Sequence, residues 1–243
     1  MTESGVGEPL TAVLVHGAFT DASSWAAVTD RLQGAGAAVW VPANPLRSLN
    51  RDGESIVRLV RQIAGPVLLV GHAYGGAVIT HAGSRAGNVR GLVFVASYGL
   101  ERGQSIAGSA PTWLTALEWA TDAADGAAEL LIPLARFGDM FAADLPLHRQ
   151  NVLAVSQRPI AAAVFTEVLG LAPAWKSLPS WFLITTEDRL MPPAAQWAAA
   201  KRMGATTLEV AASHAVLLSQ PETVTVFILK ALAALRSPAH HSR

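Results

Sequence analysis

The stretch LLVGHAYGG, residues 68–76, decides the fold. A short run that is apolar on both faces ends in glycine, and a helical pattern follows at once. The chain therefore passes from a buried strand into a helix through a tight turn. Gly71 and Gly75 lack the side chains that would collide where the backbone doubles back. The residue between them occupies a strained conformation, which costs about 1–3 kcal/mol for anything that carries a Cβ. Serine is rewarded for that strain with reactivity in the pattern G-x-S-x-G. Here the third place is Ala73, a methyl where a hydroxyl is expected, and a glycine pair kept around it points to the loss of that hydroxyl.

Outward from this turn, short apolar runs alternate with helical patterns, which is the signature of βαβ units and a mostly parallel sheet covered by helices on both faces. The expected strands are residues 11–16, 37–42, 66–71, 91–96, 180–185 and 207–211, and the expected helices 22–34, 52–64, 74–86, 193–203 and 221–236. Residues 99–178 show no buried strand but several helix-like segments rich in aromatic residues. They read as a helical cap inserted in a core made of residues 1–98 and 179–243. The tail SPAHHSR, 237–243, reads as frayed.

Two further segments fall where the turn requires them. VHGAFTDASSW, 15–25, follows the first strand as a glycine-rich loop, so its backbone NH groups come beside position 73. The amides of Ala18 and Phe19, with that of Tyr74, would form an oxyanion hole, and His16 would hold the loop in place. The second is a pair: Asp188 in LITTEDRLMPP, 183–193, and His214 in LEVAASHAVLLSQPE, 208–222, each following a strand. The carboxylate would fix the imidazole tautomer and leave the other ring nitrogen facing position 73. Glu187 is the rival for the acid.

From VLVHGAF through GHAYGG and TTEDRLMP to ASHAVLLSQPE, the chain resembles the α/β-hydrolase superfamily over nearly its whole length, and most closely its small esterase-like members. The resemblance implies an α/β-hydrolase fold with an inserted cap, and acyl transfer by the order nucleophile, acid, histidine. Position 73 departs from it, since Ala73 cannot form an acyl-enzyme. Either a hydrolase has lost its serine and holds substrate without cleaving it, or His214 and Asp188 act as a general base in lyase, isomerase or cofactor-free oxygenation chemistry. A ligand-binding protein without chemistry is the third possibility.

Composition narrows the substrate. Eighteen basic and eighteen acidic residues cancel, so no global field is available for nucleic acid or an anionic membrane. There is no cysteine, no H-E-x-x-H and no P-loop, so no cofactor or metal is expected. An apolar content of 51%, in runs broken by Gly, Pro or charge, belongs to a core and a pocket. A neutral, largely apolar carboxylic ester or lactone fits best. Trp113, Trp119, Leu131, Phe137, Met140, Phe141 and Phe165 of the cap, with Met191 and Val216 of the catalytic loops, are the candidate substrate contacts; Trp25 and Trp181 read as core. The polar opening MTESGVGEP lacks the features of a signal peptide, so a cytoplasmic monomer or homodimer is expected.

Overall fold

The computed structural model describes residues 8–109, 112–120 and 128–236, without the side chains of residues 112 and 113. The chain opens with β1 (Thr11–Val15), α1 (Ala26–Gly34), β2 (Ala38–Trp40), α2 (Leu49–Val60), β3 (Val67–His72), α3 (Tyr74–Gly83) and β4 (Val89–Val95). The cap segment then contributes β5 (Glu118–Ala120), β6 (Glu129–Leu131), α4 (Leu134–Phe141), α5 (Leu147–Ser156), β7 (Ile160–Ala161) and α6 (Ala163–Thr166). The chain returns through β8 (Ser180–Thr185), α7 (Pro193–Met203), β9 (Thr206–Val210), α8 (Val216–Ser219) and α9 (Pro221–Arg236).

Six strands form the central sheet in the order β2-β1-β3-β4-β8-β9, and every pairing in it is parallel. Successive strand residues point to opposite faces, and both faces are apolar. Val13, Val15, Val67 and Leu69 join one core with Ile56 and Val57 of α2 and Ala77 and Val78 of α3. Ala12, Leu14, Leu68 and Val70 join the other with Val28 and Leu32 of α1 and Val224, Phe227 and Ile228 of α9. Trp25 and Trp181 are buried in that second core.

The expected elements are present with shifted ends where polar side chains intervene. Residues 22–34 form two pieces, because Asp21 accepts from the amide of Ser23 at 2.8 Å and starts a 3₁₀ turn, Ala22–Trp25, ahead of α1. α2 starts at Leu49 rather than 52, capped by Ser48 Oγ, which accepts from the amide of Arg51 at 3.2 Å. The cap departs from the helical expectation. β5, β6 and β7 form a small antiparallel sheet, in strands of two or three residues that are too short to show alternation in sequence. The tail 237–243 lies outside the described residues. No helix among the described residues is long and apolar enough to cross a membrane.

Candidate active site

At the end of β3 the backbone of Ala73 takes φ 49° and ψ −119°, a conformation that a residue with a Cβ rarely adopts. Three bonds hold it there. Its amide donates to the carbonyl of Val95 at 3.0 Å, and its carbonyl accepts from the amide of Gly76 at 3.0 Å and from Ser97 Oγ at 2.7 Å. The surrounding glycines are sterically required. A Cβ on Gly71 would lie 2.5 Å from the carbonyl oxygen of Gly75, one on Gly75 2.3 Å from that of Val15, and one on Gly76 1.7 Å from Ser97 Oγ. The role of Ser97 is not evident in the sequence, since its partner lies in a different strand-end turn.

Asp188 and His214 come from the loops after β8 and β9 and are both buried. His214 Nδ1 lies 2.7 Å from Asp188 Oδ2. That oxygen also accepts from Thr185 Oγ1 at 2.9 Å and Gln196 Nε2 at 3.1 Å, while Oδ1 accepts from the amides of Leu190 and Met191 at 2.9 and 2.7 Å. A carboxylate satisfied on both oxygens is fixed in place, and Nδ1 facing it carries the proton. Nε2 is then the free lone pair. Glu187, the alternative acid, is exposed on the outer side of the turn.

Ala73, Tyr74, Ala18, Phe19 and His214 line one chamber together with Tyr98, Phe165 and Leu190. It is small, about 10 Å³ of space open to the centre of a water. Tyr74 is the first residue of α3, so its amide has no acceptor within the helix. Among the described residues the amides of Ala18 and Phe19 have no acceptor either. Phe19, at φ 62°, turns the loop at this point. Unpaired buried donors are uncommon, and donors that converge on a chamber form a site for negative charge.

Three supports lie beneath the chamber. His16 Nε2 accepts from the amide of Asn44 at 2.9 Å, so Nδ1 is the donor to the carbonyl of Gly17, also at 2.9 Å. Burial pushes the His16 imidazole below its ordinary pKa, in keeping with that neutral tautomer. His72 Nε2 donates to the carbonyl of His214 at 2.9 Å; burial, and then the neighbouring His214, push the His72 imidazole well below its ordinary value. Tyr74 Oη donates to Asp52 Oδ2 at 2.7 Å inside the core. Burial raises Asp52 against the opposing hydrogen bond from Tyr74, and burial together with the Asp52 charge raises the phenol well above its usual range.

The cap reaches both loops. Ser213, beside His214, donates from its amide to Asp144 Oδ2 at 3.0 Å and from Oγ to Asp144 Oδ1. Arg189, beside Asp188, pairs with Asp139. Phe141 stands edge-on to the His214 ring, with centroids 5.0 Å apart.

The candidate substrate contacts divide. Phe165 lines the chamber, and Met191 lines an adjoining cavity of about 400 Å³ against α7, with Ala195, Ala199 and Arg202. Tyr98 lines both. The rest need correction. Trp119 is 71% exposed on the outside of the cap. Phe137 and Met140 are buried in the core between α4 and its neighbours, Leu131 is half-buried on β6, and Val216 belongs to the second core. Phe141 is buried in the same core as Phe137 and Met140, against the back of the His214 ring, and none of these five, nor Trp119, lines the chamber or the adjoining cavity. The side chain of Trp113 lies outside the described residues. Tyr98 and Leu190 were missed, although they sit one and two residues from Ser97 and Asp188.

No curated protein matches the sequence. Solved structures do match over nearly the whole chain. An extracellular α/β-hydrolase from a Paenibacillus species, described as sharing structural and functional homology with tobacco salicylic acid binding protein 2, is 23% identical; the match covers 92% of this chain and 99% of that one, with a TM-score of 0.79. A methylesterase from Arabidopsis is 19% identical over 93% and 99% of the two chains, with a TM-score of 0.78. A pyrethroid hydrolase from Sphingobium faniae is 18% identical over 93% and 98%, with a TM-score of 0.77. At these identities the likeness concerns the fold. The model of the alpha/beta hydrolase family matches residues 12–226, and the chain belongs to that family.

Proposed function

We propose that the chamber is an acyl-transfer site for a neutral, largely apolar carboxylic ester or lactone, in which alanine stands where the nucleophilic serine would be. One observation carries this reading: Ala73, His214 backed by Asp188, and the residues that carry the three amides come together at one chamber. In the complete version of such a site, a hydroxyl at 73 would attack the carbonyl carbon, His214 Nε2 would take its proton, and the amides of Ala18, Phe19 and Tyr74 would receive the oxyanion. Without the hydroxyl no acyl-enzyme forms, and loss of a triad serine costs about 10⁶ in turnover in a well-studied protease. The chain then holds its substrate rather than acylating itself.

The side chains lining the chamber are mostly apolar, His214 and the two tyrosines excepted, and among the described residues Arg202 is the one charged residue lining the adjoining cavity, which fits a neutral substrate with an apolar body. The esterase and hydrolase names of the structural relatives point the same way. A second reading, proton abstraction by His214 from a bound carbon acid, is favoured by the dyad's complete assembly beside a methyl.

The Ala73→Ser variant separates these readings. Assayed beside the parent chain on short-chain esters and lactones, it should show burst kinetics and turnover that His214→Ala abolishes. If it stays silent on all of them while the parent chain exchanges or rearranges a carbon acid, the hydrolase reading is lost.

A further inference from the structure

Resting on that reading of the site, we infer a second activity for the chain with alanine at position 73: direct hydrolysis of neutral aryl esters and thioesters, without an acyl-enzyme, by a water molecule that His214 activates. The size of the chamber is the starting point. About 10 Å³ open to a water's centre is the allowance of a single water, and both Ala73 and His214 line that space. The methyl therefore leaves room for a nucleophile that is not part of the chain.

The groups that such a nucleophile needs are already aimed. Asp188 holds Nδ1, so Nε2 of His214 is the lone pair left to take a proton, and His214 lines the chamber. Two devices fix the imidazole from behind: the His72 bond to the His214 carbonyl and the edge of Phe141. The chamber's floor is rigid, because Ala73 is pinned by Val95, Gly76 and Ser97, and a Cβ on Gly17 would come within 2.9 Å of the Ala73 Cβ. Tyr98, Phe165 and Leu190 complete its lining. Side chains change rotamer where pinned backbone does not, so a carbonyl enters on the side of these three residues.

In the reaction the water oxygen bonds to the carbonyl carbon while one of its protons passes to His214 Nε2. The carbonyl π pair moves to oxygen, facing the amides of Ala18, Phe19 and Tyr74. The tetrahedral intermediate then collapses, the bond from carbon to the leaving oxygen or sulfur breaks, and the leaving group departs with the electron pair and takes the proton back from His214. The carboxylic acid is released, and no covalent bond to the chain forms at any stage. Aryl esters and thioesters are the matching class because their leaving groups are stable as anions, so the step does not depend on a well-placed proton donor.

The test uses the chain as written with p-nitrophenyl butyrate, beside Ala73→Gly, Ala73→Ser and His214→Gln. Ala73→Gly keeps the space for water and tolerates the positive φ. The expected result is steady turnover without a burst in the parent chain and in Ala73→Gly, about 10²–10⁴-fold above buffer, reduced at least tenfold in His214→Gln at an unchanged melting temperature. Ala73→Ser should instead show a burst. If the parent chain and Ala73→Gly match His214→Gln while Ala73→Ser bursts, the acyl-transfer site is real and the water route is wrong. If Ala73→Ser is silent as well, both readings fall.

Discussion

His72 Nε2 donates to the carbonyl of His214 at 2.9 Å, so the residue before the elbow's centre holds the backbone of the imidazole that faces that centre. The two strand ends are joined by a single buried bond. His72→Leu removes the donor and leaves a buried carbonyl unsatisfied, which should cost about 1–3 kcal/mol in urea unfolding. In an Ala73→Ser background it should also lower kcat more than it raises KM, because the imidazole is displaced rather than the pocket. A loss of stability with kcat untouched would show that the bond holds the fold but does not aim the ring.

Stability should fall on mild acidification. His16 and His72 are held below the ordinary imidazole value of 6.5, chiefly by burial, so below that pH the unfolded chain binds protons that the folded chain refuses. Stability is then present above about pH 6.5 and declines as pH drops, by up to about 1.4 kcal/mol per unit for each histidine until its folded value is reached. Asp52 acts with the opposite sign. Its raised value gives stability at acid pH that is lost as pH rises through the folded value. Urea midpoints at pH 7.5 and 5.5 should differ, and His72→Leu should shrink the gap; a flat profile would contradict this account.

Asp144 is the cap's hold on the histidine loop. Asp144→Ala removes two bonds from Ser213, the neighbour of His214, and leaves its hydroxyl with the weaker contact to the Phe141 carbonyl at 3.3 Å, while the partly solvated contact itself contributes only about 1 kcal/mol of stability. Misplacing a catalytic group by a small distance can cost about 10² in rate, so turnover of Ala73→Ser should fall by roughly one to two orders of magnitude. Equal activity with and without Asp144 would show that the loop needs no cap.

The elbow glycines should be intolerant, and a matched surface glycine should not. Gly75→Ala drives a Cβ to 2.3 Å from the backbone oxygen of Val15, which cannot retreat without breaking the sheet. A cost of about 3 kcal/mol or more is expected. Gly87, whose added Cβ would meet nothing within 4 Å, should accept alanine within about 0.5 kcal/mol. Thermal melts of the two variants make the comparison.

What could be read before the structure followed from steric and order arguments. The glycines around Ala73 and the chain order of 73, 188 and 214 are local or topological, so the sequence carries them. The sequence favours Asp188 with Glu187 as its rival, and what separates the two in the structure is that the Asp188 carboxylate reaches the amides of Leu190 and Met191. Trp119 misled for a different reason: an aromatic in a cap shows that something is covered, not which face covers it, and this one faces out. Ser97 was invisible because it acts on the carbonyl of a residue 24 positions away. β5 to β7 were too short to leave a period.

The backbone at Ala73 carries an evolutionary consequence. Its φ of 49° and ψ of −119° are held by neighbours, not by its own side chain. A hydroxyl could therefore be gained or shed there with no remodelling of the surrounding chain, and alanine and serine codons of the GCN and TCN sets differ by a single nucleotide. On the proposed reading of the site, one mutational step in either direction would carry this scaffold between covalent and non-covalent chemistry.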